Sequence, residues 1–199
     1  MSEKKLEGAG LRGQVAGKTS LSTVGKAGKG LTYRGYPIEI LSEKAKFEEV
    51  AYLLMYGALP NQNEFNEYSN KLISMRALPE SLIEVLERIP AEAHPMDVMR
   101  TGCSMLGNIE PEGDFSNQQE SADRILATMA SVIVYWYKYS HEGVKVNTET
   151  DYPTIGGHFL SLLHGKKVGE DQIRCLDLSL IHISEPTRLL SIAYAVLCV

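Results

Sequence analysis

The sequence predicts an all-α fold, and three observations carry that expectation. Apolar residues recur at three- and four-residue spacing along most of the chain. Gly, Pro and Asn punctuate those runs where helices begin and end. Apart from a small hairpin signal near Leu31, no long stretch alternates apolar and polar residues. The 199 residues are 44% hydrophobic and 23% charged, which suits one globular core and excludes a collagen-like or disordered chain. A net charge of -5 disfavours nucleic acid and anionic membrane as main partners.

Residues 1–30 are rich in Gly, Ser and Lys and read as an arm. Met1 to Glu7 is polar with no apolar run behind it, so no leader is expected. Gly13 to Thr19 approaches a phosphate loop, but only three residues separate its glycines where four are needed, and nucleotide binding is not expected. Gly25 to Gly30 followed by Leu31 to Gly35 predicts a turn and strand of a hairpin. From there to residue 181 the chain reads as one helical domain.

Phe47, Val50, Leu53 and Leu54 form the face of a first helix, stopped by Gly57. Asn61 with Glu64 predicts a capping box for a second helix running to about Arg76, with Phe65, Tyr68, Leu72 and Met75 inward. Pro79 and Ser81 open a short helix through Leu82, Val85, Leu86 and Ile89, closed by Pro90. Pro95 suits a first helical position and Asp97 a first turn, with Met96, Met99, Cys103 and Leu106 on one face. Gly102 and Gly107 leave room for a neighbouring helix. A long helix from about Gln119 to Ser140 becomes apolar almost all round (Ile133 to Tyr137) and should be buried on all sides, with polar partners for Tyr135, Trp136 and Tyr137. Its apolar part, Ile125 to Tyr137, is shorter than the roughly 20 residues of a membrane span. His158 to Gly165 and a pattern from Glu170 through Ile181 complete the set.

The candidate chemistry is sparse. His94, before Pro95, reads as a cap, and His141 sits favourably at a helix C-terminus. His158 and His164 are six residues apart and cannot share a helix face as metal ligands. Gly156, Gly157 and His158 admit two readings, a residue lining a cleft or a satisfied histidine at a helix start, the second being the commoner. Cys103, Cys175 and Cys198 form no CxxC pair, which points to a reducing cytoplasm. No metal site and no cofactor motif is found.

Several segments, in order, resemble the citrate synthase family. They are Ser22 to Gly25, Tyr33 to Tyr36, Phe47 to Leu54, Leu59-Pro60, His94-Pro-Met-Asp-Val-Met-Arg-Thr-Gly102, Tyr135-Trp-Tyr137 with Tyr139 to His141, and Gly156 to Leu160 with Leu163 to Gly165. The wording of Asp97 to Thr101 and of Tyr135 to Tyr137 is similar to the 2-methylcitrate branch. The resemblance implies a homodimeric, nearly all-helical enzyme without metal that condenses propionyl-CoA, or secondarily acetyl-CoA, with oxaloacetate. In that family an Asp takes the proton beside the thioester, one His steadies the enol oxygen and another polarises the oxaloacetate carbonyl. None of the three can be assigned here, since the chain corresponds to the N-terminal half of the large helical domain.

Arg76, in Met75-Arg-Ala-Leu-Pro79, matches a family position associated with the substrate region. The other reading is an arginine meeting the dipole at a helix C-terminus. From about His182 the chain leaves the family pattern, and Pro186 falls where a histidine is expected. Ser179 to Arg188 resembles translated adapter sequence joined to a truncated frame, so residues 182–199 are expected to be an aberrant tail. Ordinary citrate synthase and a non-catalytic helical interaction module are the alternatives.

Overall fold

The computed structural model describes residues 19–23 and 30–183. A three-stranded antiparallel sheet comes first: β1 (Ser22–Thr23), β2 (Thr32–Tyr33) and β3 (Tyr36–Pro37), in that order. Tyr33 pairs with both Ser22 and Tyr36, so Tyr36 and Pro37 add a third strand to the predicted hairpin. Arg34 and Gly35 both take positive φ (48° and 91°) in the tight turn between β2 and β3. Arg34 is held there by its Nη2, which donates to the Leu54 carbonyl at 2.8 Å.

Among the described residues eight α-helices follow: α1 (Ile38–Lys44), α2 (Phe47–Tyr56), α3 (Gln62–Ser74), α4 (Glu80–Leu86), α5 (Pro95–Ile109), α6 (Gln118–Glu142), α7 (Ile155–His164) and α8 (Glu170–Ile183). Several expected stops and starts hold, but α4 ends at Leu86, short of the expected Ile89, and α7 begins at Ile155, three residues before the expected His158. Gly57 caps α2 at φ 95°, and Asn61 and Glu64 form the reciprocal capping box of α3. His94 is the N-cap of α5, its Nδ1 accepting the Met96 N–H at 3.2 Å. Helix α1 was not expected. Pro37 precedes it and it lacks a side-chain cap, so it depends on burying Ile38 and Leu41.

Two cores form. One gathers Tyr33, Leu41, Val50, Leu53, Leu72, Ala127 and Ile181, joining the sheet to α1, α2, α3 and α8. The other packs Leu82 and Leu86 of α4 and Val98 and Leu106 of α5 against Val132, Tyr135 and Trp136 of α6. Helix α6, about 37 Å long at 1.5 Å per residue, contributes to both.

Three expectations need correction. The buried face of α5 is Val98, Gly102 and Leu106, while Met96 is 52% exposed and Met99 and Cys103 are only half-buried. The reason is Gly102: a Cβ there would lie 2.6 Å from Val132 Cγ1, so α6 presses on a glycine that an apolar count does not register. Gly107 faces open space and makes no close approach. Helix α6 is not buried all round, since Ile133 is half-buried and Tyr137 is exposed. Tyr135 and Trp136 do find partners, Glu87 Oε1 at 2.7 Å and the Ile89 carbonyl at 3.4 Å. Helix α8 carries the expected pattern from Glu170 and runs to Ile183. Residues 1–18, 24–29 and 184–199 lie outside the described residues, and with them most of the expected arm, turn and tail, Pro186, and the phosphate-loop look-alike up to Lys18.

Candidate functional site

Arg76 follows the C-cap of α3 and is only 1% exposed. It does not point along its own helix. Its Nη1 donates to the carbonyls of Thr150 (3.1 Å) and Tyr152 (2.6 Å), and Nη2 to that of Thr154 (3.3 Å). The guanidinium therefore clamps the irregular segment that leads into α7. Burial lowers its pKa to about 10, and the charge of Glu48 opposes that shift.

Behind this clamp lies His158, fully buried in the first turn of α7. Ser131 Oγ donates to the Arg76 carbonyl at 3.0 Å, so its remaining capacity toward His158 Nε2, 2.9 Å away, is as acceptor. That fixes the proton on Nε2 and leaves Nδ1 to accept from Thr150 Oγ1 at 2.8 Å. Burial, and then the charge of Arg76, lower the imidazole to about pKa 3. Ser131 and His158 thus resemble a nucleophile–base pair without its chemistry. The hydroxyl proton already has an acceptor, and the imidazole is neutral with both nitrogens engaged. Of the two sequence readings of His158, the satisfied histidine at a helix start holds. Gly156 and Gly157 are enclosed with it: a Cβ on Gly157 would stand 2.9 Å from Thr154 Oγ1. His164 is exposed, on another side of the helix.

The N-terminus of α7 has two acceptors. Thr154 Oγ1 takes the Gly157 N–H at 3.0 Å, and Glu48 Oε1, from the first turn of α2, takes the Ile155 N–H at 2.6 Å. Glu48 is 1% exposed, and burial pushes its carboxyl up to about 7 against the pull of that backbone hydrogen bond. Asp177 of α8, also buried, is raised by desolvation too, with Arg174 and Lys46 opposing. Sequence reasoning missed both carboxyls. Glu48 reads as an ordinary dipole-favouring acid in a first turn, and Asp177 as a polar position on an amphipathic helix.

A second polar cluster joins α2, α3 and α6. Asp123, fully buried, accepts from Tyr56 (2.6 Å), Tyr68 (3.0 Å) and Lys71 (2.7 Å). The next residue of α6, Arg124, grips both oxygens of Glu110 at 2.9 and 2.8 Å. It also donates to the carbonyls of Met75 and Ala77. Arg124 and Glu110, with Cys103, Asn117 and Ser121, line an open groove of about 680 Å³. Among the described residues, no group of three or more His, Cys, Asp or Glu side chains could hold a metal ion. No helix among them is long and apolar enough to cross a membrane. Arg76 and Glu48 hold backbone and a helix end, and Asp123 ties side chains of α2 and α3 to α6, which is the work of a scaffold.

Residues 10–187 match the family described as Citrate synthase, C-terminal domain. The chain is 60% identical to the 2-methylcitrate synthase of Shewanella oneidensis over 92% of its length and 48% of that relative's. The citrate synthase of Thermotoga maritima superposes with a TM-score of 0.78 at 29% identity, over 90% of this chain and 47% of that one. The Thermoplasma acidophilum citrate synthase in ternary complex with carboxymethyl coenzyme A and oxaloacetate gives a TM-score of 0.79 at 21% identity, over 87% and 46%. That last likeness concerns the fold alone. The chain spans about half the length of the relatives it matches.

Proposed function

This chain belongs to the citrate synthase family, and from that premise we propose that it is the N-terminal half of a 2-methylcitrate synthase. The observation that carries the branch is the 60% identity to a 2-methylcitrate synthase across 92% of this chain. The His94 to Gly102 wording around the α5 N-terminus supports the same reading. The full-length enzyme would join C2 of propionyl-CoA to the carbonyl carbon of oxaloacetate. Water then cleaves the thioester, giving 2-methylcitrate and CoA. An aspartate base and two histidines are needed for that chemistry, and we place them outside these 199 residues. The buried, neutral His158 supports this, because it has no free nitrogen to offer a substrate.

On this reading the chain is inactive alone, the full-length enzyme is a cytoplasmic homodimer, and an aberrant tail begins at about His182, near the end of the family match at residue 187. Residues 1–30 form the arm and 31–181 the incomplete helical domain. Arg76 is assigned to the substrate region on its match to a family position in Met75-Arg-Ala-Leu-Pro79, and its guanidinium holds the segment Thr150 to Thr154. Ordinary citrate synthase is the second reading, favoured by the likeness to the Thermotoga maritima enzyme. One methylene separates the two acyl groups, which discriminates by about 1–3 kcal/mol, or roughly 10- to 200-fold. Measured on the full-length enzyme, kcat/KM should favour propionyl-CoA over acetyl-CoA within that range. A ratio favouring acetyl-CoA would move the assignment to citrate synthase.

A further inference from the structure

Three elements converge on two buried carboxyl groups that the reaction above does not use. Glu48 rises from the first turn of α2, and its Oε1 holds the first N–H of α7. Its Oε2, shielded from solvent, has no hydrogen-bond partner. Asp177 approaches from α8 so closely that a Cβ on Gly156, in the first turn of α7, would lie 2.7 Å from its Oδ1. That oxygen is likewise buried and unpartnered. Helix α8 packs on α1, α2 and α7, and its end is tied down by Tyr33, whose hydroxyl donates to the Ile181 carbonyl at 2.8 Å.

We propose that Glu48 and Asp177 act as a positioning pair that sets the seating of α8 against α2 and the N-terminus of α7, firm while a proton remains on the pair and loosened when both carboxyls ionise. Two carboxylates in one low-dielectric site repel, and neither can be rehydrated without moving a helix. The compensating charges are few. Facing Glu48 are Arg76, already spent on three carbonyls, and the Tyr68 hydroxyl. Facing Asp177 are Arg174 and Lys46, and Arg174 is bound to the carbonyls that end α1. Burial holds the Glu48 carboxyl near 7, so the pair changes charge around neutrality. Helix α8 can then shift its seating while the second core of α4, α5 and α6 stays closed.

Hydrogen exchange of the 199-residue chain, followed by mass spectrometry at pH 5.5 and 8.5 and corrected for intrinsic rates, tests the pair. In the unmodified chain, α8 amides should exchange about tenfold faster at pH 8.5, with α4 amides unchanged. Glu48→Gln keeps an acceptor for Ile155 and removes the charge, so its α8 should show nearly the same protection at both pH values. Asp177→Asn should do likewise. His182, exposed on α8, is present in every variant and cannot account for a difference between them. Equal α8 protection at both pH values in the unmodified chain, an equal change in α4, or an undiminished pH effect in Glu48→Gln would each overturn the proposal.

Discussion

At the scale of single residues, the molecule is organised by charges placed inside it. Arg76 is the largest fully buried side chain among the described residues, and its three acceptor carbonyls would be left unpaired by truncation. Arg76→Ala should cost about 3–4 kcal/mol in urea unfolding, the sum of several buried orphan groups. Arg76→Lys should recover less than half, because an ammonium cannot span the same fork. A loss below about 1 kcal/mol would show that the clamp is ornamental.

Two neighbouring groups set the pH dependence with opposite signs. His158 has a folded pKa near 3 against an ordinary 6.5, so the stability of its neutral form is complete above 6.5 and lost as pH falls through 3. Glu48 has a folded pKa near 7 against 4.5, so its contribution is complete below 4.5 and lost as pH rises through 7. Between 4.5 and 6.5 the two slopes oppose, and the free energy of unfolding should be nearly flat there. Glu48→Gln should convert that plateau into a rise with pH, measured by urea midpoints across the window. A plateau that survives the substitution would contradict the assignment. These residue-scale features were the least legible in the sequence. Arg, Glu and Asp count as surface residues in any periodicity, and only the fold shows that Arg76, Glu48 and Asp177 are inside.

At the scale of elements, most boundaries were legible because their signals are local. Gly57, Asn61 with Glu64, His94-Pro95 and Gly165 each end or begin a helix through backbone chemistry that needs no tertiary partner. Helix α1 was hidden because nothing local announces it. The phase of α5 was misread because its central contact is Gly102 against Val132, a contact made by absent atoms. Gly102→Ala should therefore destabilise by about 1–3 kcal/mol despite the better helix propensity of alanine. Val132→Ala in the same chain should relieve part of that loss in a double-mutant cycle. Additive effects would mean that the two helices do not meet at Gly102.

At the scale of the whole molecule, an all-helical domain beginning with a small sheet was legible, and so was the family, through motifs spread from Ser22 to Gly165. The third strand and the division into two cores were not, since both depend on how distant segments dock. The described residues form a scaffold in which Arg76, His158 and Asp123 are spent on backbone and neighbouring side chains, and the chain matches about half of a 2-methylcitrate synthase. The most direct test is release of CoA, followed with a thiol reagent, when the purified 199-residue chain meets propionyl-CoA and oxaloacetate. The rate should equal that of the buffer alone, whereas turnover above that background would place a working acid and base within these residues and contradict the account.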